Sequence, residues 1–122
     1  MFRWFSQKQN MRGALMPESK WHVECDGDVL RVTDDQGGVK QLLKSDLTGA
    51  IIETNDTGPW GADVWWLLFG ADDRVAVAYP QGATDEDAML NYLMALPGFD
   101  HTQMTEAMRS TGNAVFPVWR RG

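Results

Sequence analysis

The sequence predicts an α+β protein: an antiparallel, strongly bent sheet of about six to seven strands packed by two C-terminal helices. Two observations carry this. Hydrophobic residues alternate with period two from Trp21 to Tyr79, in short runs separated by turn-forming clusters. The period then changes to three and four residues from Thr84 to Ser110. Strands followed by helices, rather than alternating with them, indicate segregated α+β architecture.

The elements follow in order. Trp21, Val23 and Cys25 share one face of a first strand, with His22 and Glu24 on the other. Asp26-Gly27 marks a tight turn, because glycine accepts the positive φ such turns require. Val29–Thr33 forms the second strand and Val39–Leu43 the third, joined through Asp34-Asp35-Gln36-Gly37-Gly38. Ala50–Thr54 reads as a fourth strand. The segment from Asn55 to Asp63 is rich in turn formers and reads as a loop. Val64-Trp65-Trp66-Leu67-Leu68-Phe69 is apolar throughout, so both faces of that strand should be covered. Arg74–Tyr79 alternates again and Pro80 closes it.

Thr84-Asp85-Glu86-Asp87 has the form of a capping box, with Met89, Tyr92, Leu93 and Leu96 as the buried helical face and Pro97-Gly98 as the stop. Asp100 and Gln103 mark a second cap, and Met104, Ala107 and Met108 the inner stripe behind it. Gly112-Asn113 ends that helix. Ala114–Trp119 reads as a last strand in which Pro117 requires an edge or a bulge.

The chain has 122 residues, one domain's worth, divided into a basic and aromatic N-terminal arm over residues 1–20 and a single domain over 21–122. Net charge is −6, unevenly spread. Arg3, Lys8, Arg12 and Lys20 face Glu18 alone in the arm, a net +3, which leaves −9 for the body. An acidic body repels nucleic acid, which is bound by neutralising phosphates, and steers a basic partner toward itself. One cysteine excludes an internal disulfide framework, and no apolar run is long enough to span a bilayer. With no signal-type apolar region behind Arg3, the expected location is cytoplasmic. Phe2, Trp4 and Phe5 beside basic residues also allow peripheral contact with a membrane surface.

Motifs for chemistry are sparse. His22 and Cys25 lie three apart, on opposite faces of a strand, so they form no thiol–imidazole pair there. One cysteine and two histidines fall short of a zinc set, and Asp26-Gly27-Asp28 lacks the other oxygen ligands of a calcium loop. Phosphate cradles and nucleophile elbows find no match either. The expectation is therefore no catalytic residue, no metal and no cofactor.

Six tryptophans are the unusual feature. Trp60 stands between Gly58-Pro59 and Gly61, with Asp56 and Asp63 nearby, and an aromatic beside carboxylates suits a cationic group. Trp60, Asp56 and Asp63 are the candidate binding residues of a non-catalytic protein-interaction module with an acidic surface, of which an inhibitor or immunity-like protein is one version. The alternative is a small-ligand protein or enzyme with a pocket of carboxylates and His101. A Pro117-containing edge also allows a homodimer.

The runs Glu53-Thr54-Asn55-Asp56-Thr57-Gly58-Pro59, Asp63-Val64-Trp65-Trp66-Leu67 and Leu96-Pro97-Gly98-Phe99-Asp100, with Phe116 and Trp119, resemble a family of small bacterial proteins of uncharacterised activity. The resemblance covers about residues 21–119 and implies no catalytic residue. The strand count is also similar to the bent sheet of pleckstrin-homology domains.

Overall fold

The computed structural model describes residues 20–58 and 61–122. Among the described residues, seven antiparallel strands and two helices build the fold: β1 (His22–Asp26), β2 (Val29–Thr33), β3 (Val39–Leu43), β4 (Gly49–Gly58), β5 (Gly61–Phe69), β6 (Val75–Pro80), α1 (Glu86–Met94), α2 (His101–Arg109) and β7 (Ala114–Arg120). The strands form two sheets, a meander β1-β2-β3 and a four-stranded sheet of order β6-β5-β4-β7.

The meander is set by its turns. Gly27 takes φ +56° between β1 and β2, where a β-carbon would be strained. That turn fixes the register Val23↔Val32 and Cys25↔Leu30. Val23, Leu30, Val32 and Leu42 enter the core. On the opposite face Arg31 donates to Glu24 Oε1 at 3.1 Å and to Gln41 Oε1 at 3.0 Å, a polar row across all three strands. One face of this sheet is therefore dry and the other wet, as antiparallel sheets allow.

β5 is the centre of the second sheet, and Trp65, Trp66, Leu67 and Leu68 are all buried. Trp65 meets Trp21 edge to face at 5.3 Å. Trp66 lies parallel to Tyr79 at 6.4 Å and donates its indole N–H to Gln81 Oε1 at 2.8 Å. Trp21 and Trp119 join the same core, so all four tryptophans among the described residues are structural.

The first helix starts differently from the capping box expected of it. Asp85 is the N-cap, in the left-handed region at φ +63°, and no side chain caps it. Glu86 instead reaches back to accept from the Gly82 N–H at 2.6 Å. Met89 and Leu93 are fully buried on α1, each worth roughly 1.5–3 kcal/mol in area removed from water. Tyr92 and Leu96 are half-buried. Gly98 at φ +83° turns the chain after Pro97. Asp100 caps α2 as its spacing predicts, accepting from the Gln103 N–H at 2.9 Å. Ala107 is buried on α2, whereas Met108 faces solvent.

β7 closes the sheet beside β4, so the last strand pairs within the chain. Both expectations for Pro117 hold: β7 is an edge strand, and its register to β4 shifts between Ile51↔Pro117 and Ala50↔Trp119. Val118 is the extra residue, and its carbonyl accepts from the Asp100 N–H at 2.7 Å. Trp119 donates to the Pro97 carbonyl at 2.8 Å. The bulge thus ties the start of α2 to the sheet. No helix among the described residues is long and apolar enough to cross a membrane.

Candidate functional site

The β4–β5 hairpin is longer than either of its neighbours. Its pairs run from Gly49↔Phe69 to Gly58↔Gly61. β7 follows β4 only as far as Thr54↔Ala114, and β6 follows β5 only as far as Trp65↔Pro80. Beyond these rungs the backbone continues as a two-stranded ribbon with no further strand pairing on either side among the described residues. The segment from Asn55 to Asp63, expected to be a loop, is therefore strand over its described residues. Its turn-forming residues are accommodated by a register shift between Asn55 and Gly58.

Asp56 and Asp63 both belong to this ribbon. Asp63 pairs with Asn55, and Asp56 falls in the shifted stretch. Trp60 lies outside the described residues, between the paired Gly58 and Gly61. The backbone thus brings Asp56 and Asp63 to one end of one hairpin. Phe2, Trp4 and Phe5 also lie outside the described residues.

At the base of the ribbon a polar run, Glu53, Thr54 and Asn55, is buried at 7%, 1% and 0% exposure. Thr54 Oγ1 donates to the Gly112 carbonyl at 2.8 Å and shares a 3.0 Å bond with Ser110 Oγ. This fastens the α2–β7 connection to the last rung that β4 shares with β7. The hairpin end is consequently built on a fixed root.

The residues weighed for chemistry are dispersed. Cys25 is half-buried on β1 opposite Leu30, and no hydrogen bond joins it to either histidine among the described residues. His22 pairs instead with Asp85 Oδ2 at 2.8 Å, across a parallel bridge from His22 to Thr84. Sequence reading misses this contact because 63 positions separate the partners and no local pattern links them. His101 is exposed on the first turn of α2, its ring edge against Phe99 at 4.9 Å. Among the described residues no three His, Cys, Asp or Glu side chains gather as a metal set.

Among the described residues two groups have displaced acidities. Burial pushes the Tyr79 phenol up, and the negative charge of Glu86 and then Cys25 push it further. Burial also raises the Glu86 carboxyl, with Asp87 adding to the effect, while the Gly82 N–H bond acts in the opposite sense. Tyr79 is packed against Trp66 in the core, so its perturbation reflects burial rather than access to a substrate.

No protein-family model, curated protein or solved structure matches this chain.

Proposed function

We propose that the chain is a non-catalytic protein-interaction module of the cytoplasm, which presents the end of the β4–β5 hairpin to a basic partner in the manner of an inhibitor or immunity protein. The observation that carries this reading is the ribbon itself. A two-stranded hairpin gains little stability alone in water. Continuing it past both neighbouring strands costs chain entropy that the sheet does not recover, and a surface built for contact accounts for that cost.

Composition supports the same direction. The body carries −9, so long-range attraction favours a cationic partner. Asp56 and Asp63 are acidic residues of the ribbon, and Trp60, between them in sequence, is an aromatic of the type enriched at binding hot spots. Carboxylates of this kind chiefly raise the association rate, while a buried indole chiefly slows dissociation.

Affinity capture with the wild-type chain, Trp60→Ala and Asp56→Asn/Asp63→Asn tests the proposal. The partner captured by the wild type should be lost or strongly weakened in both variants. Full retention by both folded variants would remove the hairpin end from the site.

A further inference from the structure

At the opposite end of the same hairpin, where β4 begins and β5 ends, a cleft of about 390 Å³ opens beside β7. Its walls combine two chemistries. Ile51, Phe69 and Pro117 supply apolar surface, and Asp73 and Asp100 supply carboxylates. Arg120 also lines it, with its guanidinium 3.8 Å from Asp73 Oδ2.

We infer that this cleft takes the side chain of an arginine from the basic partner, its methylene stem against the apolar wall and its guanidinium at the two carboxylates. The inference rests on the reading of the chain as a module for a basic partner and adds a second point of contact to it. Three observations select this occupant. An apolar wall ending in acid matches a residue whose stem is hydrophobic and whose head is a cation. Asp100 spends only Oδ1 on the α2 cap, which leaves Oδ2 without a partner among the described residues. Arg120 shows which group Asp73 accepts, and it holds that place loosely: the contact is long and both side chains are more than two-thirds exposed. An incoming guanidinium can therefore displace Arg120 into solvent at little cost, whereas a planar fork that comes within hydrogen-bond distance of a carboxylate gains charge-assisted bonds that Arg120, at 3.8 Å, lacks.

The variants suit the fold. Asparagine caps helices as well as aspartate does, and it tolerates the left-handed conformation that Asp73 adopts at φ +62°. Asp73→Asn/Asp100→Asn therefore removes charge while keeping both backbone roles. Nα-acetyl-arginine amide is the probe, titrated into the isotope-labelled full chain by NMR, with Nα-acetyl-citrulline amide as its uncharged isostere. Saturable shifts are expected at the Gly49, Gly98 and Asp100 amides, in the millimolar range. The double variant should bind about tenfold more weakly, and citrulline should give no saturable shift. Arg120→Ala should bind about threefold more tightly, because it removes the internal competitor.

Equal shifts with citrulline, unchanged affinity in the double variant, or weaker binding by Arg120→Ala would each overturn the inference. Absence of shifts at those amides would overturn it too. None of these results touches the hairpin end, which is tested separately by capture with the Trp60 variant.

Discussion

Thr54→Val probes the joint on which the hairpin end is built. The substitution keeps the branched shape and removes a single hydroxyl from a site that is 1% exposed. That hydroxyl has one proton, given to the Gly112 carbonyl at 2.8 Å, so it accepts from Ser110 Oγ across 3.0 Å. Ser110 Oγ also lies 3.3 Å from the same carbonyl. In the variant Ser110 can turn its proton toward Gly112, and the carbonyl keeps a poorer bond instead of losing all contact. The net loss is about 1 kcal/mol for one good hydrogen bond, with about 1 kcal/mol more for the incompletely satisfied carbonyl. The added methyl returns less than about 0.8 kcal/mol. A destabilisation of about 1–2 kcal/mol results.

Urea unfolding should show this as a lower midpoint at unchanged slope. Ser110→Ala combined with Thr54→Val should cost less than the two single changes together, because both act on one network. Thr54→Val at wild-type stability would contradict a bonded role for this hydroxyl, and so would strictly additive costs.

Three further outcomes follow from other parts of the fold. Asp100→Ala should lose about 1 kcal/mol with the α2 cap, while Asp100→Asn should lose almost nothing; thermal unfolding of the pair checks this, and equal losses would contradict the cap. The raised Glu86 carboxyl means that the folded state holds this proton more tightly than the unfolded chain. Its contribution therefore weakens stability as pH rises through the raised value and recovers as pH falls, so the advantage of Glu86→Gln over wild type should shrink from about pH 7 to about pH 4 in denaturant titrations. Tyr79, held as a phenol mainly by burial, is the only tyrosine left in Tyr92→Phe. In that variant tyrosinate absorbance should appear only together with alkaline unfolding, because above about pH 10 only the unfolded chain ionises there.

The sequence shows the local rules of this fold clearly. Period-two runs mark β2 and β3 at their observed ends, since a meander with tight turns depends on near neighbours. The uninterrupted apolar run of β5 announces a strand buried on both faces, and Asp100 with Gln103 announces a cap. The long-range arrangement is harder to read. Asn55 to Asp63 contains glycine, asparagine and aspartate, residues with poor strand propensity, yet cross-strand pairing with a register shift carries the ladder through them. Asp85 displaces Thr84 as N-cap because the His22–Thr84 bridge fixes the preceding backbone, a contact invisible in local sequence. The fourth strand of the second sheet likewise comes from β7 returning to β4.

The candidate residues show the same split. Asp56 and Asp63 stand close enough in sequence to be recognised as one group, and the hairpin carries the backbone of both at one end. Asp73, Asp100 and Arg120 do not stand close. A turn, a cap and a strand end supply them separately, and each has a sufficient local explanation, so only tertiary packing shows that they border one cleft.

The most direct test of the central claim is quantitative capture from lysate of the source organism by four chains: wild type, Trp60→Ala, Asp56→Asn/Asp63→Asn, and Lys40→Ala, on exposed β3, as a control. One partner set should be held by wild type and by the Lys40 variant. Trp60→Ala should weaken that binding by about thirtyfold, the scale of a hot-spot loss. The double acid variant should weaken it most at low salt, where steering is strongest. Equal capture by all four folded chains would contradict the claim that the hairpin end is where this protein meets its partner.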